Sequence, residues 1–211
     1  FGSLRERIDW SDVEEVTFEC EPGTLSLPKL QTLRDLGVTR LSLGVENFNP
    51  AILERNNRAH RAEEILRTYG FAREVGFPQV NIDLIAGMIG ETDENWARCI
   101  ERTLELGPDS VTIYQMEVPY NTTIYRRMKD DETEEAPVAD WATKRRWVRE
   151  AFAALGAAGF EQSSAYTAYR GGGTSFLYRD SLWHGADMLG LGVSSFSHLG
   201  GIHFQNEPSF G

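Results

Sequence analysis

The stretch from Val80 to Thr92 constrains the fold of this chain more tightly than any other. Val80, Ile82, Leu84 and Ile85 form the apolar, mostly branched run of a parallel strand covered on both faces. Asn81 and Asp83 interrupt that run, and a carboxylate in such a strand is costly unless it is paired or functional. Gly87 and Gly90 then make a loop. Thr92 suits an N-cap, and Trp96, Ile100 and Leu104 recur every fourth residue, as in a helix. An acid on a strand that runs into a glycine loop and a helix is the local geometry of a ligand site at the C-terminal end of a barrel strand.

The same alternation extends along the chain. Strand character also marks Val16–Cys20, Arg40–Val45, Val111–Met116 and Phe160–Tyr166. A helix is predicted over Pro28–Leu36, with proline in its first turn and Gly37 as its cap. A short one follows Asn49-Pro50, an N-cap with proline at the first helical position. Longer ones cover Arg61–Val75, closed by Gly76, and Trp96–Leu106, ended by Gly107-Pro108. Trp141, Arg145, Val148, Phe152 and Leu155 mark another, ended by Gly156 or Gly159. Asp187–Phe196 is glycine-rich and reads as a tight strand or turn. Strand and helix at roughly 30-residue spacing give βαβ units and a parallel sheet, either barrel-like or open and doubly wound. Nothing resembles the G-x-G-x-x-G turn after the first strand, which lowers the open dinucleotide-binding option.

Of the 211 residues 41% are hydrophobic, enough for one sizeable core. A net charge of -11 argues against sequence-independent nucleic-acid binding, which needs a basic face. No apolar run approaches a membrane span, and no signal-peptide pattern opens the chain. The two cysteines, Cys20 and Cys99, lie far apart; they imply no disulfide framework and fit a reducing, cytoplasmic setting. A chain that opens on Phe1 and stops at Phe210-Gly211 reads as a fragment of something longer.

In the barrel reading, polar residues at the C-terminal strand ends line one face: Glu19, Glu46, Asp83, and Gln115 with Glu117. Each alone reads more readily as a capping or solvated acid than as a functional one. Together, like charges on one rim repel unless a cation sits among them, and Arg58 is the local candidate, with a surface arginine as the plainer alternative. Such a rim suits a ligand with amines, hydroxyls or a positive centre. The four histidines, His60, His184, His198 and His203, show no helical metal-site spacing, so no metal ligands are assigned. Cys99 reads as packing, the acidic run Asp130–Glu135 as a solvated loop, and the tryptophans as packing, Trp183 in a loop-like region being the least secure.

The strings Thr17–Leu25, Arg40–Asn49, Asn57–His60 and Asn81–Gly87, with Leu189–Ser197 near the end, resemble the oxygen-independent coproporphyrinogen III oxidase-like branch of the radical S-adenosylmethionine (radical SAM) enzymes. The resemblance runs from about Thr17 to Asn206. It implies an α/β fold, a partial (β/α)6 TIM-type barrel incomplete at the N-terminus. Residues 1–159 would be the C-terminal portion of that barrel, and residues 160–211 a barrel-edge strand and the start of a family-specific extension. It implies S-adenosylmethionine bound beside a [4Fe-4S] cluster, and a 5′-deoxyadenosyl radical that abstracts hydrogen from substrate, with the protein supplying placement and exclusion of water. It places cofactor contacts at Glu19, Glu46, Arg58, Asp83, Ile85 and Phe196, with Ile85 against the adenine. Where the family commonly has glutamine after S-x-G-V, this chain has Glu46, which keeps an acceptor, adds charge and loses the amide donor.

The family's three cluster cysteines, C-x3-C-x2-C, do not occur here, and Cys20 and Cys99 cannot replace them; that string is expected upstream of Phe1. The branch implies an oxidoreductase acting on a tetrapyrrole by oxidative decarboxylation, with an electron donor such as flavodoxin or ferredoxin and no nucleic-acid or membrane partner. It also holds haem chaperones, for which the four histidines are candidate axial ligands, and C-methylating or cyclopropane-forming relatives. A cluster-free βα scaffold is the plainest alternative.

Overall fold

A computed structural model describes residues 1–58, 60–118, 120, 138–171 and 174–209. The acidic run Asp130–Glu135 and most of the Pro119–Thr123 loop lie outside the described residues. The chain divides into two compact units, Phe1–Thr174 and Ser175–Gly211.

The first unit is built on a sheet. Its four parallel strands are β1 (Thr17–Cys20), β2 (Arg40–Glu46), β3 (Gln79–Ala86) and β4 (Ser110–Gln115). Helices connect them: α1 (Gly2–Arg5) precedes β1, α2 (Leu27–Asp35) follows it, and α3 (Pro50–Arg55) and α4 (Ala62–Val75) lead to β3. α5 (Asp93–Leu106) joins β3 to β4, and α6 (Trp141–Ala157) follows β4. Two further strands, β5 (Phe160–Gln162) and β6 (Thr167–Arg170), complete the order β1-β2-β3-β4-β6-β5 among the described residues. Among the described residues the sheet is a partial barrel wall that does not close.

The boundaries follow the local chemistry. Asn49 accepts the Ala51 amide ahead of Pro50, and Thr92 accepts the Asn95 amide to open α5. Gly76 and Gly107 close α4 and α5 in the left-handed region, at φ 79° and 65°. α6 continues through Gly156, so Gly159, at φ 87°, is the glycine that ends it.

The predicted single strand Phe160–Tyr166 is instead two short strands. Ser164 Oγ accepts the amides of Tyr166 and Thr167, and Ser163 N–H donates to Thr167 O, so the chain reverses on a serine turn. β6 therefore runs antiparallel to both β4 and β5.

The core is the apolar content of β2, β3 and β4 pressed against helices. Leu41, Leu43, Val45, Val80, Ile82, Leu84, Val111 and Ile113 are all at 0% exposure, which fits strands covered on both faces. Trp96 on α5 stacks on Trp147 of α6 at 6.2 Å between ring centres, and its Nε1 donates to Trp147 O at 2.9 Å. Lys144, one turn earlier on α6, is buried and donates from Nζ to Met116 O at 2.7 Å, with its ammonium over the Trp141 ring. Its stem lies against Gly87, where an added Cβ would come within 2.5 Å of Cδ.

The second unit holds α7 (Leu177–Trp183) and an antiparallel pair, β7 (Phe196–Leu199) and β8 (Ile202–Gln205). Trp183 is thus helical, not in a loop, and 61% exposed under Arg179. The glycine-rich stretch before β7 is a turn, tied by Asn206 Nδ2 to the carbonyls of Gly190 and Gly192. No helix among the described residues is long and apolar enough to cross a membrane.

Replacing Trp96 with Ala is expected to cost about 3–5 kcal/mol in urea unfolding, because it opens a void in the core and removes the Nε1 hydrogen bond to the Trp147 carbonyl. Trp183→Ala, on an exposed face, is expected to stay within about 0.5 kcal/mol.

Candidate functional site

Strand register gathers the polar residues. Ser42 pairs with Asn81 and Gly44 with Asp83 across β2 and β3, and Asp83 pairs with Thr112 across β3 and β4. Because alternate residues share a face, Arg40, Ser42, Asn81, Asp83, Thr112 and Tyr114 point to one side of the sheet. There Ser42 Oγ donates to Asp83 Oδ2 at 2.8 Å, and Asn81 Nδ2 donates to Asp83 Oδ1 at 2.8 Å and to Ser42 Oγ at 2.9 Å. Ser110 and Thr112 donate in turn to Asn81 Oδ1, at 2.7 and 3.2 Å. Burial pushes the Asp83 carboxyl above its ordinary value; the Ser42 and Asn81 hydrogen bonds and the Arg40 charge pull the other way.

Ser42, Asp83 and Tyr114 of this group open onto a cavity of about 850 Å³. Glu19 and Glu21 from the end of β1, Glu46 from the end of β2, Asp83 and Ile85 from β3, and Tyr114 from β4 line it. Five of the six sequence-derived contacts are therefore placed together or on the edge of that group. Glu19, Glu46, Asp83 and Ile85 share the wall, and Arg58 reaches it through ion pairs of 3.5 Å to both Glu21 and Glu46. Phe196 belongs to the second unit, where it begins β7, 52% exposed, with its ring 5.6 Å from that of His203.

The fourth member of the expected rim is different. Gln115 lines a separate groove with Arg145, Arg149 and Gln162, and Glu117 is exposed. Tyr114 takes that place because it, not Gln115, shares the face of Asp83 through Thr112. Its ring stacks on Tyr166 at 6.2 Å, and burial, then Asp83 and Glu19, raise its phenol pKa. Arg40 was also missed. It is 2% exposed at the start of β2, and counting back in twos from Gly44 finds it. Burial lowers its pKa, and Asp83 is the first charge opposing that.

Glu46, like Asp83, is a perturbed acid of the cavity. Burial pushes it up to about 7, against the pull of Arg58 and with help from Asp83 and Glu21. Its backbone sits at φ 64°, in the left-handed region, just after the β2–β3 register shifts between Gly44 and Glu46. For a residue with a side chain that conformation costs about 1–2 kcal/mol. An acid rim of this kind can hold amines, hydroxyls or a sulfonium centre and can exchange a proton near neutrality.

A metal cluster finds no such fit. Among the described residues no group of three His, Cys, Asp or Glu side chains could hold a metal ion. Cys20 donates from Sγ to Ser42 O, and burial raises its thiol to about 12. Cys99 is buried in the core, as the packing reading expects.

Comparison with known proteins agrees with the fold. Residues 2–103 match the radical SAM superfamily model. Oxygen-independent coproporphyrinogen III oxidase from Escherichia coli is 30% identical over 97% of this chain and 46% of its own length. The haem chaperone HemW of Bacillus subtilis is 28% identical over 93% of this chain and 51% of its own length. The crystal structure of the E. coli oxidase, HemN, superposes with a TM-score of 0.82 over 98% of this chain and 49% of that one, at 28% identity. This chain carries a domain of the radical SAM superfamily over residues 2–103. That superfamily uses S-adenosylmethionine and a [4Fe-4S] cluster. Archaeal Elp3 from Methanocaldococcus infernus, at 22% identity and a TM-score of 0.54, shares the fold. The chain spans about half the length of the curated relatives it matches.

Because Glu46 has a higher pKa in the folded chain than its ordinary 4.5, the folded state holds its proton more tightly than the unfolded one. The stability it contributes is full at low pH and is lost as pH rises through about 7. Glu46→Gln is therefore expected to gain stability relative to the parent between pH 5 and 8, measured as the difference in unfolding free energy across that range; a flat difference contradicts the assignment.

Proposed function

We propose that this chain is the cofactor-holding part of a radical SAM enzyme that acts on a tetrapyrrole, by oxidative decarboxylation of the coproporphyrinogen type. The observation that carries the reading is the convergence of Glu19, Glu46 and Asp83, from three adjacent parallel strands, on one cavity with Ile85. Its support from relatives is the 30% identity to coproporphyrinogen III oxidase across 97% of the chain.

When bound, S-adenosylmethionine supplies a 5′-deoxyadenosyl radical as the hydrogen-abstracting group. The rest is what the chain's own residues do. Glu19 and Asp83 accept hydrogen bonds from the cofactor's amine or hydroxyl groups, and Asp83 is held in place for that by Ser42 and Asn81. Ile85 packs on the adenine. Glu46 accepts a proton or a hydrogen bond, and Arg58 holds its carboxylate at the rim. Tyr114 and Tyr166 give one side of the cavity an aromatic wall. We place the enzyme in the cytoplasm, with a flavodoxin or ferredoxin as electron donor.

Asp83→Ala or Glu19→Ala in the full-length protein is expected to abolish S-adenosylmethionine cleavage, read as 5′-deoxyadenosine yield; an unchanged yield in both counts against the reading. The isolated 211-residue chain is expected to retain no stoichiometric iron or sulfide after anaerobic reconstitution, since its described residues offer no thiolate triad.

Similarity to HemW supports a second reading, a haem-binding chaperone on the same scaffold. Tight haem binding without turnover of coproporphyrinogen III favours it. His60 is a poor candidate ligand there, being 2% exposed with Nε2 3.0 Å from Val45 O.

A further inference from the structure

The Glu46 turn is held by residues that do not touch the cavity. Val45 O accepts the Asn47 amide at 2.7 Å across the single residue Glu46, which closes a γ-turn on a left-handed φ of 64°. Such turns are rare and strained, and persist where surrounding contacts over-determine them. Here they do so from two sides.

On one side, His60 Nε2 lies 3.0 Å from the same Val45 carbonyl. A carbonyl only accepts, so Nε2 carries the proton, and Nδ1 is left without a hydrogen-bond partner among the described residues. The ring is buried and serves this one bond. On the other side, Asn47 is fully buried and donates from Nδ2 to Glu91 Oε1 at 2.7 Å and to Asn95 Oδ1 at 3.0 Å, while its Oδ1 accepts the Asn49 amide at 2.8 Å. Glu91 Oε2 accepts the Gly87 and Met88 amides at 2.6 and 3.2 Å. One carboxylate thus ties the loop after β2 to the glycine loop after β3.

We propose that His60 and the Asn47–Glu91 pair are positioning residues that clamp the strained γ-turn and so aim the Glu46 carboxylate into the cavity. Neither touches the ligand; they act by fixing where one acid sits. That the ligand is S-adenosylmethionine rests on the function proposed above, whereas the clamp itself is tested without any ligand.

The probe is the Glu46 carboxyl in the ligand-free protein, followed by carbon-13 NMR through a pH titration and assigned by its loss in Glu46→Gln. The charges that bear most on Glu46 are Arg58, Asp83 and Glu21. His60→Leu leaves all three in place, so a change in the midpoint there reports a change of place. In His60→Leu the midpoint is expected to fall from about 7 toward 4.5, as the released turn lets the carboxylate relax toward water. In His60→Gln, whose amide nitrogen reaches the same carbonyl, it is expected to return. Glu91→Gln, which sets an amide donor against at least one of the three N–H donors, is expected to lower it as well. If His60→Leu does not fold, His60→Asn, too short to reach Val45, is read in its place.

An unmoved midpoint in a folded His60 variant that has only lost thermal stability overturns the proposal. The affinity of Glu46→Gln for S-adenosylmethionine is measured separately. If that affinity is unchanged while the His60 variants shift the titration, the ligand reading fails and the clamp stands.

Discussion

The hydrogen-bonded burial of Asp83 is the constraint on which the rest of the first unit depends. A carboxylate on the middle of a three-strand stack is tolerable only when its oxygens are met, and Ser42 and Asn81 meet both. That arrangement exists only in one register of β2 against β3, since a one-residue slip would turn Ser42 to the other face. The same register sets Ser110 and Thr112 behind Asn81, so the polar ladder crosses three strands and ends each donor on an acceptor. Apolar packing on the opposite face then fixes the helices, and the cavity follows at the strand ends.

Charge balance in the cavity is achieved by layering. Arg40 lies buried at the base of the strands and Arg58 at the rim, with Glu19, Glu46 and Asp83 between them. A lone guanidinium at either level would leave the acids at the other level to repel one another. The result is a wall that keeps carboxylates close together without neutralising all of them, which is what a cationic or hydroxyl-rich ligand requires.

Much of this was legible from residue order. Asn49-Pro50, Thr92, Gly76 and Gly107 each act as the cap their chemistry suggests, and Glu19, Glu46 and Asp83 meet as the strand-end pattern implies, beside Ile85, which only the family resemblance singles out. What was not legible depends on pairing between distant segments. The β5–β6 reversal turns on Ser164, a residue whose side chain could equally have faced solvent in a continuous strand. Glu91 reads as an ordinary acid near a helix start until the loop after β2 is brought against it. Tyr114 and Arg40 follow from residue order alone, because two-residue periodicity places both on the face of Asp83.

Gly87 and Lys144 leave almost no room between them. At φ 95°, and with the lysine stem where a Cβ would go, residue 87 accommodates hydrogen alone. The amine beyond that stem grips the Met116 carbonyl. The exits of β3 and β4 are thus latched by one aliphatic chain threaded past a bare backbone. A glycine loop that moved toward α6 would meet the lysine stem, whose far end is tied to the Met116 carbonyl.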